Sequence, residues 1–166
     1  MVNDLIILDE KKVWDLLNTI PDPDIPVLSI VDLGLVRKVE VTEGNNITVT
    51  LTPSYSGCPA MHVFSAEVIM LLKSEGANEV NIYIALTPAW TTAWLSKDAK
   101  KKLQQYGIAP PEDNDRPGEL FFKKQVTCPH CLSTNTKRTS EFGSTPCKAL
   151  WYCNHCQQPF EYFKCH

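Results

Sequence analysis

The stretch CPHCLSTNTKRTSEFGSTPCKALWYCNHC, residues 128–156, decides the fold of the C-terminal part of the chain. It contains two Cys-x-x-Cys pairs, Cys128 with Cys131 and Cys153 with Cys156, separated by 21 residues. Two residues between thiolates let both sulfurs reach one tetrahedral ion from a single tight turn, and the intervening residues have the length of a hairpin. The spacing predicts a zinc-ribbon-like module in which these four cysteines bind one metal ion.

Zinc is the metal that this four-thiolate pattern favours, and an iron centre or iron–sulfur cluster on the same thiolates is the alternative. Cys147 lies within the stretch, and Cys165 and His166 end the sequence, so the chain offers more candidate ligands than one tetrahedral ion uses. The two pairs also lack the glycine that often follows the second cysteine, having Leu132 and Gln157 instead. Zinc and an iron centre or iron–sulfur cluster therefore both stay open as the bound group.

The size of this C-terminal region explains why it needs a metal. Residues 119–166 show little helical periodicity, and a module of this length rarely buries enough apolar surface to fold without a further stabilising element such as a bound metal ion. His130 and His155 occupy matching positions inside the two pairs. Because residues inside such turns usually point outward, we expect both imidazoles to lie outside the metal site.

The composition indicates a globular chain with reduced thiols. Of its 166 residues, 43% are apolar and 21% are charged, which suits one ordinary domain plus a small module. The N-terminal sequence lacks a secretory pattern, and no segment approaches 18 consecutive apolar residues. We therefore expect a cytoplasmic protein without a membrane partner.

The charges are divided unevenly along the chain. Residues 1–118 carry 16 acidic and 10 basic side chains, net −6, whereas residues 119–166 carry 3 and 6, net +3. A basic excess of this size is too small to indicate a nucleic-acid partner. No nucleic-acid binding is predicted.

The first part of the chain predicts a small two-layer α/β domain, making the whole an α+β protein. Apolar periodicity gives a helix in LDEKKVWDLLNTI, a hairpin in GLVRKVEV and NITVTL, a helix in CPAMHVFSAEVIMLLKSEG, a strand in NEVNIYIAL and a helix in LSKDAKKKLQQYG. The Pro-rich and acidic GIAPPEDNDRPGE has no periodicity. We expect a domain over 1–108, a linker over 109–118 and the ribbon module over 119–166.

Cys58, in SYSGCPAMH, is the second candidate site. With Pro59 as the first helical residue, Cys58 becomes the predicted N-cap, where helical N–H groups favour a thiolate. His62 follows one helical turn later and could share a metal or hydrogen-bond the thiolate. The alternative is a buried, inert cysteine beside a surface histidine. The residues indicate no catalytic triad, paired carboxylates or phosphate loop, so we expect no independent catalysis.

Trp90 and Trp94, in TPAWTTAWLS, stand four residues apart at a strand-to-helix junction. Tryptophans in such places are most often core or interface residues. An exposed partner-binding patch formed by the pair is the sharper hypothesis.

The first part of the chain resembles the domain shared by iron–sulfur assembly factors of the SufT and cytosolic assembly-targeting type. Four segments carry this resemblance, in the order DPDIPVLSIVDLGLV, LTPSYSGCPA, TPAWTTAWLS and GIAPP. The likeness covers about residues 8 to 111. With FGSTPCKALWYC and PFEYFKCH, the whole chain resembles the family of D components of the phenylacetyl-CoA epoxidase system. That system is a multicomponent bacterial monooxygenase of aerobic phenylacetate degradation.

The resemblance implies an accessory role. In that system a diiron centre in another subunit inserts oxygen into the aromatic ring, and a flavin and iron–sulfur reductase supplies electrons. The D component would help to assemble or insert an iron or iron–sulfur centre, with other epoxidase subunits as partners, and the family's cysteine corresponds to Cys58. A non-catalytic structural subunit that bridges the oxygenase components is the alternative, and a homo-oligomer is compatible with either role.

Overall fold

The computed structural model describes residues 7–112 and 125–164. It separates the chain into two compact units, Met1–Trp90 and Thr91–His166. The predicted α+β fold class is confirmed: the described residues form three α-helices and two sheets, and a four-cysteine cluster lies in the C-terminal region. Among the described residues, no helix is long and apolar enough to cross a membrane.

The first unit opens with helix α1, Glu10–Leu17, as the apolar spacing predicts. The side chain of Asp9 caps it by accepting a hydrogen bond from the backbone N–H of Lys12 at 2.7 Å. Val13 and Leu17, four residues apart on one face, are fully buried. The helix therefore supplies part of the core of this unit.

Side chains hold the proline-rich loop after α1 in shape. The Asp22 carboxylate accepts hydrogen bonds from the backbone N–H groups of Asp24 and Ile25, at 2.9 and 2.8 Å. Further on, the N–H of Ser29 donates to the Asp32 carboxylate and the N–H of Asp32 donates to the Ser29 hydroxyl. Both aspartates thus replace the backbone hydrogen bonds that a turn leaves unmade.

The sheet of the first unit has the order β1-β2-β3, with β1 at Val36–Thr42, β2 at Asn46–Leu51 and β3 at Glu79–Ile84. The predicted hairpin is confirmed by the antiparallel pairing of β1 and β2, and β3 runs parallel to β2. Along β2, alternate residues are buried in the core: Ile47, Val49 and Leu51.

Helix α2, Ala60–Ser74, connects β2 to β3 as the crossover that two parallel strands require. The carboxyl end of β2, the loop that contains Cys58 and the first turn of α2 consequently follow one another at one end of the unit. The N-cap is Pro59, so the prediction of Cys58 as N-cap is wrong by one residue. The first turn is tight, since the N–H of Met61 donates to the carbonyl of Cys58 at 3.2 Å.

The second unit begins with a 3₁₀ turn, Thr92–Trp94, that the sequence pattern does not predict, followed by helix α3, Lys97–Tyr106. Ser96 caps α3 through a hydrogen bond from the N–H of Ala99, and Gly107 ends it at φ 91°. The predicted third helix and its glycine stop are therefore confirmed.

A four-stranded sheet of order β4-β7-β6-β5 forms the rest of this unit: β4 Ile108–Ala109, β5 Thr136–Ser140, β6 Lys148–Cys153 and β7 Pro159–Phe163. β6 pairs antiparallel with both β5 and β7, while β4 runs parallel to β7. Ala109, predicted as the first linker residue, instead lies opposite Tyr162. The predicted boundaries 1–108, 109–118 and 119–166 stay a prediction, because residues 113–124 lie outside the described part of the chain.

Two buried lysines fix the loop that joins β5 to β6. Lys148 is 3% exposed, and its ammonium lies 2.9 Å from a carboxylate oxygen of Glu161. The buried Lys164 donates to the carboxylate of Glu141 at 3.1 Å. Each buried cation therefore has an anionic partner, as burial of charge requires.

Candidate metal centre

Both Cys-x-x-Cys pairs are turns with the same backbone hydrogen bonds. In the first, the N–H of Cys128 donates to the carbonyl of Ser133 at 2.9 Å and the N–H of Leu132 donates to the carbonyl of Cys128 at 3.0 Å. The second repeats the pattern, with the N–H of Cys153 donating to the carbonyl of Gln158 at 2.9 Å. We call these turns the two knuckles.

The residue after each second cysteine adopts a left-handed backbone conformation. Leu132 has φ 61° and Gln157 has φ 59°, both in the region that glycine occupies most easily. The missing glycines noted in the sequence therefore leave the turns regular and add strain instead. Leu132 is also 63% exposed, so its side chain gains little from packing to offset that strain.

The knuckles bring four sulfur atoms together. The Sγ atoms of Cys128, Cys131, Cys153 and Cys156 all lie within 4.8 Å of one another. Two pairs of sulfurs from different knuckles lie 3.7 Å apart, for Cys128 and Cys156, and 3.6 Å apart, for Cys131 and Cys153. A tetrahedron of sulfurs around zinc at 2.3 Å has an edge of about 3.8 Å, so this arrangement, the four-cysteine cluster, fits such an ion.

The cluster sits at the edge of the ribbon core. Cys128 and Cys153, the first cysteine of each knuckle, are fully buried, and the two second cysteines are half-buried. The hydrophobic core around them consists of Ala109, Val126, Ala149, Trp151, Phe160 and Tyr162. Two of the four cluster cysteines, Cys128 and Cys153, are consequently also members of the ribbon core.

The thiols of the cluster differ in how readily they ionise. A hydrogen bond from the backbone N–H of Cys156, with further help from that of His155, lowers the pKa of Cys153 to about 6. Burial raises the pKa of Cys128, and burial raises that of Cys156 to about 12. Without a cation the cluster therefore keeps protons on some of its sulfurs, and a divalent ion that binds all four as thiolates must displace them.

The histidines of the knuckles lie outside this group. His130 and His155 are exposed, as their positions in the turns predict. A Cβ atom placed on Gly107 would lie 3.3 Å from Cε1 of His130, so this imidazole packs close to the end of α3. Among the described residues the cluster is the only group of three or more metal-ligating side chains.

Of the additional candidate ligands, Cys147 alone lies within the described residues, and the four-cysteine cluster does not include it. Cys147 is half-buried, and its Sγ lies 3.1 Å from Oγ1 of Thr145. Cys165 and His166 lie outside the described residues. Ligation by these three residues stays a prediction.

Cys58 stands in a different setting. It is half-buried, and a turn closed by a hydrogen bond from its N–H to the carbonyl of Tyr55, at 3.3 Å, presents it before α2. Gly57 adopts φ 79°, and a Cβ there would meet nothing within 4 Å. This glycine is therefore required by backbone conformation and not by space. His62 is exposed in the first turn of α2, and neither Cys58 nor His62 belongs to a group of three ligands in the described part of the chain.

The two tryptophans are placed differently. Trp90 is 4% exposed, and its indole N–H donates to the carbonyl of Leu33 at 2.8 Å, which is the environment of a core residue. Trp94 is half-buried in the 3₁₀ turn. Burial of Trp90 weakens the hypothesis of an exposed patch, and partner binding by these residues stays a prediction.

Sequence reasoning missed the residues that shape the two sites. Gly57 precedes Cys58 directly, and the dipeptide Ser-Gly is a turn signal that could have identified it. Gly143 supports the ribbon: a Cβ there would lie 2.7 Å from Oε1 of Glu161, an atom that also accepts a hydrogen bond from the N–H of Ser144 at 2.9 Å. No local sequence pattern predicts this contact between Gly143 and Glu161, because the two residues are distant in sequence.

Two family models match the chain, one in each unit's sequence. Residues 10–84 match the model described as iron-sulfur cluster assembly protein, and residues 112–164 match the model described as PaaD zinc beta ribbon domain. The first match contains Cys58 and His62, and the second contains the four-cysteine cluster.

The chain is also similar to individual proteins and to a solved structure. A protein of Escherichia coli (strain K12), named as the D component of 1,2-phenylacetyl-CoA epoxidase, is 45% identical over 93% of this chain and 92% of its own length. An Fe-S protein maturation auxiliary factor of Porphyromonas gingivalis is 32% identical over 61% of this chain and 97% of its own. The crystal structure of a DUF59 domain of unknown function from Bacillus anthracis superposes with a TM-score of 0.54 at 31% identity, covering 57% of this chain and 90% of that one.

Proposed function

The chain belongs to the D-component family of phenylacetyl-CoA epoxidase, and from this premise we propose that it is an accessory protein that helps to assemble or insert an iron or iron–sulfur centre in that enzyme system. The similarity of its first unit to maturation auxiliary factors supports the assembly role. The client proteins, which receive the centre, are other subunits of the epoxidase. The protein itself would not catalyse the oxygenation.

One observation carries the proposal: Cys58 is a half-buried thiol on a tight turn, and it is not a member of the four-cysteine cluster. A thiolate is a soft ligand that binds iron and exchanges with other thiolates. One protein ligand leaves the remaining coordination positions of a transferred centre to the client. Transfer then proceeds by ligand exchange, in which a client thiolate displaces the Cys58 thiolate from iron without a change of oxidation state.

The four-cysteine cluster has the opposite properties, and we propose that it holds zinc for structure alone. Four thiolates complete a tetrahedral site, which leaves no open position for a client ligand. Its sulfur separations and its integration into the ribbon core support a permanent ion. Cys128, Cys131, Cys153 and Cys156 are the proposed ligands.

The test is complementation of cells that lack the endogenous gene, with client iron content and epoxidase activity as readouts. We expect Cys58→Ala to lose both while keeping the ribbon metal and the thermal stability of the native protein. Cys147→Ala is the matched control, because it removes another half-buried thiol outside the cluster and should restore both readouts. Full activity and normal client iron with Cys58→Ala would remove the transfer role.

The alternative role, a structural subunit that bridges oxygenase components, has less support because Trp90 is buried. It predicts a fixed stoichiometric amount of this protein in the purified oxygenase. An assembly factor is required in substoichiometric amounts and leaves the mature enzyme. Quantitative mass spectrometry of the purified complex separates the two.

A further inference from the structure

Strand β3 is an edge strand of the first unit's sheet. Within residues 7–112 and 125–164, β3 pairs with β2 and with no other strand. Apolar side chains at and just beyond its end are exposed, Tyr83 by 64%, Ile84 by 41% and Leu86 by 63%. An open edge presents unpaired N–H and C=O groups that a further strand can use.

The other long edge strands carry features that prevent such pairing. β1 exposes Arg37 and Lys38 and is bulged in the same region, and β5 carries Lys137 and Arg138 with a bulge after Arg138. Charged side chains and bulges are the usual protection of an edge. β3 keeps an unbroken register with β2, contains no proline, and has its one charged residue, Glu79, at its first position.

We propose that β3 pairs antiparallel with β3 of a second copy of this chain, joining two three-stranded sheets into one six-stranded sheet across a two-fold axis. The strand is self-complementary for this arrangement. In the register centred on Ile82, Val80 lies opposite Ile84 of the second copy, Asn81 lies opposite Tyr83, and Ile82 lies opposite its own equivalent. Apolar residues then meet on one face and the tyrosine meets an amide on the other.

The charge distribution favours this strip over the rest of the unit's surface. Residues 7–90 carry 11 acidic and 5 basic side chains, net −6, so two copies repel each other across most of their surfaces. Residues 80–86 carry no charge, and Glu79 falls opposite Ala85 of the second copy. Like charges therefore do not face each other in the paired strands.

The apolar row on β3 continues the core. Its residues Val80, Ile82 and Ile84 lie in register with three fully buried residues of β2: Ile47, Val49 and Leu51. They are less buried than their partners because the sheet ends beside them. A second copy would cover this row. The interface would then be apolar, like a protein core divided between two subunits.

The experiment measures the oligomeric state of the full-length, metal-loaded protein by sedimentation velocity over a range of concentrations. We expect a dimer whose dissociation constant rises by at least about tenfold with Ile84→Lys, since the substitution places a charge on each of the two paired strands. Met70→Lys is the control, because Met70 is 70% exposed on α2 and not on the strand, and it should leave the dimer intact. A monomer at all concentrations, or a dimer that Ile84→Lys leaves unchanged, would overturn the pairing.

Hydrogen exchange of the unsubstituted protein locates the interface without any variant. Amides of residues 79–84 should exchange more slowly as protein concentration rises, while those of 136–140 in β5 should not change. Protection of β3 that arises only after addition of other epoxidase subunits would assign the edge to a client strand and contradict self-pairing. Neither result bears on Cys58, so this inference and the proposed function stand or fall separately.

Discussion

The four-cysteine cluster contains a complete set of ligands for one metal ion, whereas Cys58 offers a single thiol. Both are offered by tight turns, but the cluster turns belong to a sheet whose core contains two of the sulfurs, and the Cys58 turn ends a strand at the start of a helix. A complete tetrahedral set retains an ion, and a single thiolate can pass one on. The contrast teaches that cysteine number and burial, more than turn geometry, separate a stabilising metal site from an exchangeable one.

Removal of the metal should have the largest effect, and it should affect the two regions unequally. Structural zinc in small fingers contributes about 10 to 16 kcal/mol of apparent binding free energy. We expect chelation, or Cys153→Ser, to abolish the near-ultraviolet circular dichroism that the packed Trp151 and Tyr162 rings produce. The helices of the first unit should keep their far-ultraviolet signal. Equal loss of both signals would contradict two separately stabilised units, and Cys147→Ser should preserve both.

Glycines test the regions in two different ways. Gly143→Ala places a methyl group against the Glu161 carboxylate and should cost about 1 to 3 kcal/mol of stability, because the hydrogen bond from Ser144 and the Lys148 ion pair are disturbed. Chemical denaturation of the metal-loaded protein measures this loss of stability.

Gly57→Ala meets no atom but forces alanine to a positive φ, so it should displace Cys58, whereas Gly57→Asn should be tolerated. Alkylation rates of Cys58 that are unchanged in Gly57→Ala would show that this glycine does not position the thiol.

The Glu161 ion pair predicts a pH dependence confined to the ribbon. Burial disfavours the charged carboxylate, but hydrogen bonds from Ser144 and the Lys148 ammonium outweigh it and lower the pKa of Glu161. A depressed pKa stabilises the folded state above the unfolded value, near 4.5, and that stability is lost as pH falls through the folded value. We expect Glu161→Gln, which weakens the hydrogen bonds to a charged group, to be about 2 kcal/mol less stable than the native protein at pH 7, with the gap narrowing below pH 4.5. A gap that is constant with pH would contradict this assignment.

The smallest expected effect concerns the strain in the knuckles. Leu132→Gly should stabilise the ribbon by about 1 kcal/mol because it relieves the left-handed conformation. Leu132→Ala removes the same exposed side chain and keeps the strain, so it should show no gain. Thermal unfolding of the metal-loaded variants compares them. Stabilisation by both substitutions would attribute the effect to the exposed leucine and not to its backbone.

The sequence predicted the parts of this molecule that local patterns encode. Apolar periodicity located α1, α2, α3 and the first sheet's strands, and cysteine spacing located the cluster, because short-range geometry determines both. The pairing of Ala109 with Tyr162 and the approach of Gly143 to Glu161 were not predictable, since they join residues distant in sequence. The start of α2 was misplaced by one residue because Cys58 and Pro59 both suit a helix terminus.

Metal analysis combined with visible absorption, on protein purified without oxygen, tests the central contrast most directly. The contrast predicts a colourless protein with one zinc ion per chain, lost in Cys153→Ser and retained in Cys58→Ala. Iron and sulfide with broad visible bands that disappear in Cys153→Ser would contradict it, because the four-cysteine cluster would then hold the chemistry proposed for Cys58.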